Sequence, residues 1–414
     1  MMSTAPTPPQ HAPITHYPVV NGELTVGGIP LTRLAARVGP TPGYVYDGAV
    51  MTARVQQLRA ALPKGISLHY AMKANPMPAV VQHMATLVNG LDVASGRELR
   101  VALDTGMPAH EISFAGPGKS DDEIRMAVAS GIVLNVESFD QLEMAAVAAR
   151  ELGVKANIAV RVNPDFELKS SGMKMGGHAA QFGVDAEQVP ALLARIKQLE
   201  QNFVGFHIFW GSQNLRAENV RDAHDKTFAL AYRLAESAPS PVKLLNIGGG
   251  LGIPYFPGDV PLDLNDISAN LQRHVDECKQ RLPQAEVVME LGRYLVGEAG
   301  LYVCAVRERK VSRGDVFVIT DGGLHHHLAA SGNFGQIIRK NYPVALGNRM
   351  NDSEKETVNF VGPLCTPLDL LGAKVQLPVA RKGDLAVVFQ SGAYGLSASP
   401  RAFLSQGDAV EVLV

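Results

Sequence analysis

Cysteine is scarce in this chain of 414 residues: Cys278, Cys304 and Cys365 stand far apart and form no Cys-x-x-Cys pair. That spacing indicates neither a zinc site nor a disulfide framework, and it fits a reducing cytoplasm. Net charge is small as well. A value of −2 leaves no basic footprint for nucleic acid and no attraction to an anionic membrane. Long apolar runs are missing, since no stretch reaches the roughly eighteen residues needed to span a bilayer. Residues 1–18 are rich in Pro, Thr, Ser and His but lack a basic segment followed by an apolar one, so they read as a flexible tail. Small molecules are left as the expected partners.

Apolar residues make up 46% of the chain, charged residues 19%, and 40 are glycine, the composition of an α/β enzyme with many tight turns. The length suits a barrel-sized domain and a smaller one. Eight short apolar runs alternate with longer amphipathic stretches: Ile66 to Met72, Leu91 to Ala94, Ile112 to Ala115, Ile132 to Val136, Ile158 to Val162, Phe203 to Phe209, Leu244 to Ile247 and Val287 to Leu291. Helices are expected between them, as over Pro78 to Val88, Gly96 to Asp104, Ser120 to Ala129 and Ser138 to Ala149. This pattern predicts an α/β protein with a closed (β/α)8 TIM barrel over residues 44–297. Strand-like runs after Gly300, joined by the strand-and-turn segment before the barrel, predict a second β domain from 19–43 and 298–414. The connection from Asn163 to Gly183, with Lys174 to Gly177 inside it, is long for a barrel loop, as functional loops are.

Barrel chemistry gathers at the C-terminal ends of strands. There the sequence places Lys73, Asp92, Arg161, His207, Glu290 and Arg293. A lysine at the rim of a dry pocket loses solvation, its pKa falls, and the free amine can attack an aldehyde. The seventh strand runs into Gly248, Gly249 and Gly250, where backbone N–H groups can approach a phosphate without Cβ interference. His207 has the alternative of a satisfied core histidine, and Arg161 that of a structural ion pair.

Six ordered runs then carry a resemblance: Tyr70 to Asn75 (YAMKAN), His207 to Gln213 (HIFWGSQ), Gly248 to Gly250, Glu290 to Arg293 (ELGR), Gly362 to Cys365 (GPLC) and Gly392 to Tyr394. Together they resemble the pyridoxal-phosphate decarboxylases of the ornithine, diaminopimelate and arginine group, whose fold is an alanine-racemase-like barrel with a β domain. The resemblance implies a cofactor aldehyde held by Lys73, with Glu290 on its pyridine nitrogen, His207 against its ring and Asp92 in the surrounding hydrogen-bond shell. It implies a phosphate held by Ser212, Gly248, Gly249, Gly250, Arg293 and Tyr394, and leaves Arg161 in the shell around the cofactor. It also implies a homodimer with shared active sites, in which Cys365 enters the neighbouring subunit's site as a proton donor. The alternative for Cys365 is a buried apolar thiol.

Specificity departs from the family pattern. Members acting on diamines carry an acid after the cysteine, and here Thr366 stands there. Diaminopimelate members place an Arg-Pro and Tyr run after paired glycines, where this chain has Leu324, His325, His326, His327 and Leu328, with Arg339 further on. Three consecutive histidines cannot all ligate one ion, so no metal is expected, and His326 and Arg339 are candidate substrate contacts beside Thr366. The wording of the runs 174–177, 181–185, 322–327, 362–371 and 391–400 looks most like the branch that includes the glutamyl-carrier-protein decarboxylase of butirosin biosynthesis. The resemblance thus implies an α-amino acid substrate, either free or presented as an acyl group on a carrier protein. The alternatives are a diaminopimelate, ornithine or lysine decarboxylase, a racemase on the same fold, and a non-catalytic binding protein.

Overall fold

The computed structural model describes residues 9–39, 41–166 and 178–414, with the main chain of Met173–Lys174. Of the run 174–177, all but that main chain lies outside the described residues.

Eight short strands, nearly all buried, pair in parallel and close on themselves: β1 (Ile66–Ala71), β2 (Gly90–Val93), β3 (Ile112–Phe114), β4 (Val133–Val136), β5 (Asn157–Asn163), β6 (Asn202–Ile208), β7 (Leu244–Asn246) and β8 (Glu286–Leu291). The ring shuts where β8 pairs with β1, Glu290 opposite His69. Strands covered by helices outside and packed on side chains within are buried on both faces, which is why these read as mostly apolar runs rather than as alternation. Three of the helices start on serine. Ser95, Ser120 and Ser138 accept from the backbone N–H of Glu98, Glu123 and Gln141 at 3.2, 3.2 and 3.1 Å. Each such cap contributes about 1 kcal/mol and pins a helix just above a strand end.

The second unit is built on β9 (Gly300–Ser312), a strand long enough to pair with β10 (Asp315–Thr320), β14 (Leu385–Val388) and the early strand Gly43–Tyr46. Around it lie β11 (Val344–Leu346), β12 (Lys355–Val361) and β13 (Leu370–Pro378), and Val410–Leu413 pairs in parallel with Gly43–Tyr46. Leu24, Val26, Val45, Leu301, Val303, Val387 and Phe389 form part of its core.

By compactness the chain divides into the described part of Met1–Met51 with Pro254–Pro261 and Val296–Val414, and a barrel unit of Thr52–Ile253 and Leu262–Leu295. Three features differ from expectation. Gly43–Tyr46 joins the β unit, because its register partners are Gly300 to Val303. Leu31–Val38 is a helix rather than strand and turn, with Leu31 and Leu34 buried one turn apart. Residues 9–18 do not behave as a loose tail: Tyr17 is buried and its hydroxyl donates to Glu298 O at 2.9 Å, while Gln10 O accepts from Gly258 N. An aromatic ring with somewhere to bury holds that segment down.

Candidate active site

Lys73 leaves β1 in the single turn Met72–Ala74 and remains 41% exposed at the rim of the barrel. Its Nζ lies 3.3 Å from Glu290 Oε1 and 5.5 Å from the centre of the Phe209 ring. Glu290, near the end of β8, is buried. Burial by itself would raise its pKa, but the Lys73 charge, His207 and Arg161 together hold the carboxyl well below the usual carboxylate range. The group is therefore ionised. Its second oxygen, Oε2, sits 3.0 Å from His207 Nε2 but off the line of a hydrogen bond, so it is a buried acceptor without a donor among the described residues.

The polar side chains continue around the inside of the barrel in register. Arg161 on β5, His207 on β6 and Asn246 on β7 are direct strand partners, as are Asp92 on β2 and Ser113 on β3. Arg161 is paired at 3.1 Å with buried Glu137, which also accepts from the backbone N–H of Gly116 and Gly183. The ion-pair alternative for Arg161 is thus the observed arrangement. Lys119 is buried beside that pair and donates to Gly116 O, Asn135 O and Gln141 Oε1. Burial, aided by Arg161, pushes its ammonium down to about 8.

After β7 the chain turns through Gly248 and Gly250, both in the left-handed region at φ 69° and 72°. Asn246 Oδ1 accepts from Gly248 N at 2.8 Å and fixes the turn. A Cβ on Gly249 would stand 2.0 Å from Glu290 O, and one on Gly250 2.5 Å from the Trp210 ring. The N–H groups of Gly249 and Gly250 donate to nothing among the described residues. The segment carrying Ser212 runs alongside, with Asn214 N donating to Gly250 O at 2.9 Å. Arg293 opens the short helix Arg293–Val296 just past β8.

Cys365, Thr366, Arg339, His326 and Tyr394 belong to the β unit. Cys365 is exposed there, which removes the buried-thiol alternative. His326 requires a correction. It is buried, with Nε2 2.7 Å from Gly407 O and Nδ1 3.2 Å from the Tyr302 hydroxyl, so both ring nitrogens serve the β unit and neither is free for substrate. His325 and His327 are buried with it, and burial lowers their pKa values to about 4 and about 3. They are neutral core residues rather than an entrance. His69, Ser113, Glu137 and Asn246 were missed in the sequence, although Glu137 and Asn246 stand at strand ends, where barrel function gathers.

A rim amine, a buried carboxylate kept charged with one acceptor unmet, and a glycine turn presenting two idle amides suit one kind of group: an aldehyde-bearing pyridine with a phosphate. A pyridinium N–H would answer the unmet Glu290 oxygen, and a phosphate would answer the amides. This is a barrel enzyme that binds pyridoxal phosphate.

The family model for the pyridoxal-binding domain of the pyridoxal-dependent decarboxylases matches residues 49–297, and the chain belongs to that family. It is 38% identical over 389 residues to the L-glutamyl-[BtrI acyl-carrier protein] decarboxylase of Niallia circulans, covering 92% of this chain and 90% of that one. Identity to the diaminopimelate decarboxylase of Aquifex aeolicus is 34% over 400 residues, with 95% and 91% covered. Among solved structures, diaminopimelate decarboxylase from M. jannaschii in complex with L-lysine aligns with a TM-score of 0.87 at 28% identity, covering 97% of this chain and 93% of that one. The chain is a pyridoxal-phosphate-dependent amino-acid decarboxylase.

Proposed function

We propose that this enzyme releases CO2 from an α-amino acid whose carboxyl far end is masked as an acyl group on a carrier protein. The observation that carries the reading is Thr366. In members acting on free diamines an acid at that place meets the distal ammonium, and a buried ammonium without a counter-charge is costly. The Thr366 hydroxyl instead accepts from Leu368 N at 3.3 Å, a local turn bond that offers no charge. The similarity to a carrier-linked glutamate decarboxylase points the same way.

When bound, the cofactor supplies an electron sink for the pair left at Cα as CO2 departs. The chain does the rest. Lys73 would provide the anchoring amine, Glu290 would keep a proton on the pyridine nitrogen, and the Gly248 to Gly250 turn, with Ser212, Arg293 and Tyr394, would hold the phosphate. We assign His207 to the ring face, with Asp92 and Arg161 around it. The same reading makes a homodimer the functional unit, with Cys365 protonating Cα in the partner's site. Cys365 is exposed, and next to it Leu368, Phe334, Ile337 and Ile338 are exposed apolar side chains in segments tied together by Asn333 Nδ2 to Leu368 O at 3.4 Å. A second copy would bury them. We assign the enzyme to a reducing cytoplasm, a reading that the three separated cysteines support.

One observation favours a free amino acid with a second carboxylate. Arg339 is half-buried, its guanidinium donates only to Ser331 O and Leu370 O, and no carboxylate pairs with it among the described residues. CO2 release from carrier-linked glutamate and from free glutamate, diaminopimelate, lysine and ornithine decides between the two. The proposal requires turnover of the tethered substrate to dominate, and preference for free diaminopimelate would replace it with the second reading.

A further inference from the structure

The floor of a barrel is ordinarily filled by branched apolar side chains. Here β1 places an imidazole in it. His69 is buried, four residues before Lys73, and stands opposite Glu290 in the β1–β8 ladder. Its Nδ1 lies 3.3 Å from Asp92 Oδ1, and its Nε2 3.8 Å from Glu111 Oε2. The same Asp92 oxygen accepts the Ser113 hydroxyl, which in turn accepts from Asn135 Nδ2 at 3.2 Å. One polar chain thus runs through β1, β2, β3 and β4 inside the barrel. The other Asp92 oxygen is buried with no partner among the described residues.

Gly90 makes room for the ring. A Cβ there would stand 2.4 Å from His69 Nε2 and 2.4 Å from Glu111 O. The imidazole is therefore fitted to its place rather than tolerated. Buried carboxylates need a counter-charge, and no lysine or arginine pairs with Asp92 among the described residues, which leaves His69 to supply it.

We propose that His69 is a positioning residue: it fixes the Asp92 carboxylate inside the barrel and balances its charge, and so sets the electrostatic field at the Lys73 amine. The inference rests on Lys73 being the cofactor's anchor. Burial works against a charged His69, but Asp92, Glu111 and Glu286 more than offset it and hold its pKa above the ordinary histidine value. Those carboxylates, with Glu290 in the facing register position, are the charged groups around it. The imidazolium and Asp92 then cancel. Without His69, Asp92 acts on the amine as an unbalanced anion and favours its protonated state.

The test is the pH dependence of the bound cofactor's visible absorption in wild type, His69→Gln, Asp92→Asn and the double variant, with the histidine resonances of the apoprotein followed by NMR. His69→Gln is expected to move the absorption midpoint upward. In the Asp92→Asn background the same change should move nothing, and the His69 resonance should titrate at lower pH than in wild type. An equal shift in both backgrounds, or none in either, overturns the proposal. Wild type lacking any cofactor absorption would instead remove the anchor reading itself. Apoprotein urea melts confirm that each variant folds.

Discussion

A carboxylate buried as deeply as Glu290 takes up a proton unless groups that favour its charge stand beside it, and here these are Lys73 first, then His207 and Arg161. Removing Lys73 therefore does two things at once: it deletes the anchor amine and takes away the first charge that keeps Glu290 ionised. Lys73→Ala is expected to lower decarboxylation by on the order of 1000-fold or more, read as CO2 release. Glu290→Gln keeps the shape and loses the charge, and is expected to act through the turnover number rather than through substrate affinity. His69 carries a stability prediction whose sign follows from linkage. Its folded pKa stands above its unfolded value, so its contribution is fully present below the unfolded value of 6.5 and disappears as pH rises through the folded one. Apoprotein urea melts of wild type and His69→Gln should differ more at about pH 5.5 than at about pH 9. An equal difference at both would mean that the imidazole carries no charge.

At the scale of elements, the site depends on how strands end. The turn after β7 works because three residues lack Cβ where β8 and Trp210 press against it, so that Gly249 and Gly250 keep their amides free. Gly249→Ala forces the turn away from Glu290 O. Cofactor affinity, measured by titration of apoprotein, is expected to weaken roughly 10- to 100-fold as charge-assisted bonds to the phosphate are lost. An unchanged affinity would mean that the phosphate sits elsewhere. The strands themselves were legible as eight apolar runs, because a sheet buried on both faces has no other pattern. Leu31–Val38 was not legible, since two buried leucines one turn apart are too few to outweigh the turn residues around them. β11 and β13 were missed for a related reason: they are short or half-exposed strands recruited by pairing rather than by composition.

For the whole molecule, the barrel unit carries Lys73, Glu290 and the glycine turn, and the β unit carries Tyr394, Cys365, Thr366 and Arg339. Lys73, Glu290 and the glycine turn were readable because each ends a strand in a run of distinctive residues. His69 and Asn135 were not, because a polar residue inside an apolar run shows its partner only once the barrel brings neighbouring strands together. His326 misled in the opposite direction: three histidines in a row look like a site, and burial makes them core. At this scale Cys365→Ala should leave cofactor absorption intact while slowing product formation or misdirecting the proton, seen as by-product in the amine analysis. Normal product at normal rate would remove the thiol from the reaction.

The point of cofactor attachment is the most direct measurement to make. Borohydride reduction of the loaded enzyme, then peptide mass mapping, should place the pyridoxyl mass on Lys73 alone. The same mass on another lysine, or on none, would contradict that attachment.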